Sequence, residues 1–257
     1  MFVTTAGRTD SELIAQARKA AGDLHVPFIP RFKRSVAEMQ KIYSGDCLVV
    51  GRQRLDLYKM NHNEPFFFHP NVAMLRIKRL LKGEEDPYIF TAGIETGSSV
   101  LDCTLGLGAD AIVASFVAGE YGTVEGIEES PLLSYVVKRG LEEWQSGNEI
   151  IDHALRRVKV RPSNHLDVLK SCSDANFDVV YFDPMFEKSI TESDGLRSLT
   201  HFASGHDLSE EIIEEAKRVA GRRVVLKDHF RSRRFTKFDF RVIVRKTSKF
   251  HFGYIDV

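Results

Sequence analysis

The chain has 257 residues, 43% of them hydrophobic, enough for one large α/β domain or a domain with a small appendage. Its 36 basic and 36 acidic side chains cancel, which excludes a whole-protein field for polyanions and leaves any nucleic-acid contact to local patches. Three scattered cysteines, Cys47, Cys103 and Cys172, have neither CxxC nor metal-ligand spacing, so reduced thiols are expected rather than a disulfide framework or a zinc site. No apolar run is long enough to span a bilayer, and the opening MFVTTAGRTD has no basic stretch leading into an apolar one. The expectation is a cytoplasmic protein with no membrane association.

In chain order, FVTT reads as a short strand, and TDSELIAQARKAAGDL as a helix with Leu13, Ile14, Ala17, Ala20 and Ala21 on one face, opened by a capping box of Thr9 and Glu12. An extended VPFIP, a helical SVAEMQKIY and the strand-like CLVVG and LDLYKM complete a small N-terminal α/β domain, residues 1–62. Residues 63–257 form the second unit. It begins with NEPFFFHP and an amphipathic helix whose apolar residues are Val72, Leu75, Ile77 and Leu80.

From Ser98 the alternation is regular: strand SVLDCT, helix ADAIVASFVAG, strand TVEGIE, helix SPLLSYVVKRGLEEW, strand RVKVRP, then LDVLKSC, strand FDVVYFDP, a polar loop, helix SEEIIEEAKRVAG and strand RRVVLKD. This order implies a doubly wound, mostly parallel sheet with helices on both faces. The closing FDFRVIVRK and KFHFGYIDV read as an antiparallel C-terminal edge.

Ligands of such sheets bind at the carboxyl ends of the strands. After the first strand comes DCTLGLGADA, with Asp102, Gly106 and Gly108 in a turn that lets the backbone approach a ligand. Gly106, Gly108 and Ala111, with Glu128 further on, also fit the dinucleotide pattern of a nicotinamide oxidoreductase. Asp102 weighs against that, because a carboxylate there would repel a pyrophosphate, whereas S-adenosylmethionine brings an ammonium and a sulfonium. Glu128 closes the second strand, where a carboxylate can take both ribose hydroxyls. After the third strand, Asn164 or Asp167 could face the adenine amine, Asn164 being preferred.

The fourth strand ends in Asp183-Pro184-Met185-Phe186. An amine conjugated to a ring is a poor nucleophile that a site must orient rather than deprotonate. Asp183 and the Pro184 carbonyl can accept its two hydrogens, Pro184 stiffens the turn, and Phe186 can stack on the base.

Asp102-Cys-Thr-Leu-Gly106-Leu-Gly108 with DPMF resembles the class I S-adenosylmethionine-dependent methyltransferases, and the Met of DPMF is similar to the small-subunit ribosomal RNA guanine-N2 methyltransferase family. The likeness runs from about Val100 to the end and includes RVVLKD and KFHFGYI. It implies a Rossmann-like methyltransferase fold, S-adenosylmethionine as donor, guanine N2 in RNA as target, donor contacts at Asp102, Gly106, Gly108 and Glu128, a target-amine role for Asp183, and Lys227 in the same cleft.

Basic residues cluster in RFKR, RIKR, RRVKVR and RSRRFTK, each a candidate phosphate contact, with Phe32 or Phe235 as stacking residues. RSRRFTK directly follows the fifth strand, which singles out Arg231 and Arg233; Arg197, in the polar loop after Phe186, is a further substrate candidate. The histidines show no HxH or HExxH spacing, so no metal is expected. Three other readings compete: a protein-amide or small-molecule N-methyltransferase, the nicotinamide oxidoreductase, and an inactive RNA-binding protein on the same scaffold.

Overall fold

The computed structural model describes residues 1–184 and 207–257. Seven strands form the main sheet: β4 (Ser99–Asp102), β5 (Thr123–Glu128), β6 (Val158–Pro162), β7 (Phe177–Phe182), β8 (Ala220–His229), β9 (Arg241–Ile243) and β10 (Phe250–Asp256), in the order β6-β5-β4-β7-β8-β10-β9. All neighbours pair in parallel except β10, which runs antiparallel to both β8 and β9. The expected α/β class and antiparallel C-terminal edge are both present.

Alternation along the strands makes this a three-layer fold. Val100, Val179, Tyr181 and Val225 enter one apolar cluster, while Leu101, Val180, Phe182, Val224 and Leu226 enter the other, as the two-residue period of a strand requires. The first face is covered by α3 (Asn71–Leu80), α4 (Pro87–Ala92), α5 (Ala109–Ala118), α6 (Pro131–Glu143) and α7 (Glu149–Arg157). The second is covered by α8 (His165–Ser171), α9 (Glu210–Val219) and α10 (Arg234–Lys237).

Ahead of these, β1 (Phe2–Thr5), α1 (Ser11–Asp23), α2 (Val36–Tyr43), β2 (Cys47–Val50) and β3 (Leu55–Tyr58) build a three-stranded sheet with β1 and β2 parallel. Its Val3, Leu48, Val50 and Leu57 share one buried cluster with Ile77, Val100 and Val136, so the apolar core is continuous between the two sheets.

Three local expectations are corrected. The N-cap of α1 is Asp10, which accepts from the Leu13 amide at 2.9 Å, and not Thr9 with Glu12. The inward face of α3 is Ala73 and Ile77, with Val72 and Leu75 more than half exposed. Residues 149–157, unassigned in the sequence reading, form α7, whose Ile151, Ala154 and Leu155 are buried.

Candidate active site

Strand order reverses between β4 and β7: from β4 the chain turns to β5 on one side, and β7 lies on the other. Loops leave such a switch point in opposite directions and open a crevice at the carboxyl ends. Asp102 is the last residue of β4, and Asp183 follows the end of β7, one strand away.

Thr104 ties the two ends together. Its backbone N–H donates to Asp102 Oδ1 at 3.0 Å, and its hydroxyl accepts from the Asp183 backbone N–H at 2.6 Å. The turn that follows has Gly106 and Gly108 in the left-handed region, φ 49° and 73°, and Gly108 caps α5. Leu105 donates its N–H to the Ile127 carbonyl and lies over β5, where a Cβ on Gly126 would come within 2.4 Å of it. Gly126 is therefore a second glycine requirement of this turn, unmarked in the sequence because it sits inside a strand.

The two carboxylates have different surroundings. Asp102 is 1% exposed, and among the described residues only Thr104 donates to it. Burial, with Asp110 and Asp183 nearby, pushes its carboxyl up to about 8. Asp183 is a quarter exposed, and its Oδ2 takes the Lys227 ammonium at 2.6 Å. Burial raises its pKa and Lys227 opposes that rise.

Behind Lys227 lies a buried chain of charges that local patterning does not reveal. Lys227 Nζ also meets Asp110 Oδ2 at 3.2 Å, and the Tyr181 hydroxyl donates to the same oxygen at 3.0 Å. Arg76 Nη1 donates to Asp110 Oδ1 at 2.5 Å and forks onto Asp86 with two bonds of 2.8 Å. Burial works against the Asp110 carboxylate, yet Lys227 and Arg76 hold it well below the usual range. Burial works against the Lys227 ammonium as well, yet Asp110 and Asp183 hold it above its ordinary value. Asp183 is thus fixed by a lysine that is itself fixed. The Tyr88 ring packs 4.4 Å from that of Tyr181, and its buried hydroxyl has no hydrogen-bond partner among the described residues.

Glu128, at the end of β5, is 8% exposed; burial raises its pKa while the amides of Ser130, at 2.9 Å, and Gly106 draw it down. Asn164 caps α8 by accepting from Leu166 N–H at 2.9 Å, and its amide donates to Glu129 at 3.0 Å. Asp167 lies exposed in the first turn of α8. Pro184 is buried. Phe186 and Arg197 lie outside the described residues.

A family model described as "Putative SAM-dependent methyltransferase" matches residues 33–250. The chain belongs to the SAM-dependent methyltransferase family. Its methyl donor is S-adenosylmethionine, and the nicotinamide reading of the glycine turn falls away. An uncharacterized protein of Bacillus subtilis, YpiP, is 44% identical over 254 residues, covering 99% of this chain and 98% of its own. The ribosomal RNA small subunit methyltransferase J of Tolumonas auensis is 29% identical over 226 residues, 85% of this methyltransferase and 84% of its own length. A crystal structure of the SAM-dependent methyltransferase NGO1261 of Neisseria gonorrhoeae superposes with a TM-score of 0.64 at 15% identity, covering 100% and 96% of the two chains, a likeness of fold.

The donor is a cation with a ribose and an adenine, and the methyltransferase's residues fit it. A buried carboxylate, one oxygen of which has no partner among the described residues, stands beside a glycine turn, with a second carboxylate one strand over. Among the described residues, no three His, Cys, Asp or Glu side chains gather as metal ligands, and no helix is long and apolar enough to cross a membrane.

The basic clusters are mostly structural. Arg76 is locked between Asp86 and Asp110, Arg156 donates to the Leu141 and Trp144 carbonyls, Arg157 to that of Ser115, and Arg161 pairs with Glu125. Arg234 is buried on Asp228 and Asp207, and Phe235 is 5% exposed, so neither is available for stacking or phosphate contact. Arg231 and Arg233 are exposed, as are Phe32, Lys33 and Arg34.

Proposed function

We propose that this methyltransferase moves the methyl group to an exocyclic amine, guanine N2 of small-subunit ribosomal RNA. The observation that carries the amine assignment is Asp183-Pro184 at the end of β7, its carboxylate anchored by Lys227 through Oδ2. Among the described residues nothing donates to Oδ1 or to the Pro184 carbonyl, and these two would accept the two hydrogens of a planar amine. That holds the nitrogen and directs its lone pair out of the plane, toward the donor side of the crevice. Catalysis is then orientation by groups that do not move during reaction.

When bound, S-adenosylmethionine supplies a methyl group activated on a sulfonium. Asp102 would face the donor's ammonium, which offsets the burial that holds this carboxyl at about 8. Glu128 would take the ribose hydroxyls, Gly106 and Gly108 would admit the backbone close to the donor, and Asn164 would meet the adenine amine through the second lone pair of Oδ1. Phe186 would stack on the target base, and Lys227, Arg231, Arg233 and Arg197 would face the substrate side. The surplus proton of the methylated amine passes to Asp183.

RNA as the substrate is supported by the relative from Tolumonas auensis, whose name gives the small ribosomal subunit as its target. The test is transfer of a radiolabelled methyl group to small subunits prepared from cells lacking this gene. Label is expected in the RNA, released on digestion as N2-methylguanosine, and absent with Asp183→Ala. Label in ribosomal protein, or none with the wild-type enzyme, overturns the assignment.

A further inference from the structure

At the end of β8, the run Asp228 to Phe235 divides into residues that anchor and residues that are presented. Arg234 is buried, with Nη1 on Asp228 at 2.8 Å and Nε on Asp207 at 2.7 Å, and Phe235 sits in the core beneath it. Ser232 closes the turn, its hydroxyl on Asp228 at 2.6 Å and its N–H on the His229 carbonyl at 2.8 Å. The backbone N–H of Phe230 donates to the Lys249 carbonyl at 3.1 Å, which fastens the turn to the segment leading into β10. These fixed points hold Phe230 outward, 42% exposed, against His229 with ring centroids 4.5 Å apart. The Arg231 guanidinium lies 5.0 Å from the Phe230 ring centroid. Arg231 and Arg233 form no ion pair among the described residues.

Position gives this patch its meaning. Lys227, which holds Asp183, lies three residues before Phe230 on β8, about 10 Å along an extended strand. Both lie toward the carboxyl end of the sheet, where the crevice opens. We infer that Phe230 and Arg231 form a preorganised stacking platform for a single-stranded RNA base next to the target nucleotide, with Arg233 and Arg231 on its phosphates. The ring and the guanidinium offer one π surface, the combination that holds single-stranded nucleic acid without reading sequence. Because the turn is already fixed, little ordering is left to be done on binding. The inference rests on the RNA reading above and adds a residue to it: the aromatic that stacks on the neighbouring base is Phe230 and not Phe235.

The test uses the full chain and a fluorescently labelled single-stranded RNA of fifteen nucleotides and mixed sequence, followed by anisotropy, with the same RNA annealed to its complement as control. Phe230→Ala should weaken single-strand binding about tenfold, and Phe230→Trp should keep it. Arg231→Gln should weaken binding and lower the slope of log affinity against log salt by about one. Thermal midpoint and donor binding should stay at wild-type values in all three. Wild-type affinity in Phe230→Ala, equal loss in Phe230→Trp, or equal affinity for the duplex would overturn the platform and leave the RNA reading standing. No RNA binding by the wild-type protein would overturn both.

Discussion

Asp102 and Asp183 lie at the ends of neighbouring strands and are both acids in a crevice, yet the protein treats them in opposite ways. Asp102 is almost wholly buried and, among the described residues, receives hydrogen bonds only from its own turn, so its proton is held up to about 8. Asp183 is more exposed and receives a lysine that Asp110 holds in place, with Arg76 and Tyr181 behind it. In the proposed division of the crevice, the donor half keeps a carboxylate whose charge a cationic ligand would satisfy. The acceptor half keeps one whose charge the protein satisfies itself, which fixes its direction. Under the proposed function Asp102 binds a cation and Asp183 orients an amine, roles that call for the different surroundings adjacent strands provide.

The largest effect that would break this contrast is in stability against pH. An unfolded aspartate loses its proton near about 3.9. Folded Asp102 keeps it to about 8, so across that window the folded chain binds one more proton than the unfolded one. Stability of the ligand-free protein from this group is therefore greatest below pH 4 and is lost as pH rises to 8, at about 1.4 kcal/mol per unit. Urea midpoints from pH 5 to 8.5 should fall more steeply for the wild type than for Asp102→Asn. Parallel curves would mean that Asp102 is ionised in the folded protein.

The acceptor half is probed by Lys227→Met. Lys227 opposes the upward push of burial on Asp183, so without it the carboxyl rises further. Methyl transfer at pH 7 should drop, on the order of tenfold, and recover partly at higher pH. A loss unchanged across the pH range would assign Lys227 a purely steric role.

A smaller effect is expected at Asn164. Its capping of α8 means that Asn164→Ala should lower stability by about 1 kcal/mol, with Asn164→Ser close to wild type in thermal melts. Donor affinity measured on the same two variants separates the cap from the adenine contact.

The sequence carried the sheet and the strand ends because their signals are local: β-branched runs, a glycine turn directly after Asp102, and an Asp-Pro stop at Asp183. The support behind Asp183 was not legible. Arg76 finds Asp86 and Asp110 from 10 and 34 positions away, and Lys227 finds Asp183 across 44. In the sequence Arg76 looks like one charge in RIKR. The buried face of α3 departs from its apolar pattern because the small Ala73 packs inward while the larger Val72 and Leu75 point out. In RSRRFTK, the buried Arg234 and the exposed Arg231 and Arg233 are the same residue type in one short run, and only the turn after β8 separates them.

The most direct measurement places Asp102→Asn and Asp183→Asn side by side, with calorimetric S-adenosylmethionine binding and methyl transfer read on each. For Asp102→Asn the expected result is donor binding weakened on the order of a hundredfold. For Asp183→Asn it is donor binding within about threefold of wild type and transfer slowed about a thousandfold. Equal loss of donor binding in both, or wild-type donor binding in Asp102→Asn, would contradict the division of the crevice into a donor carboxylate and an acceptor carboxylate.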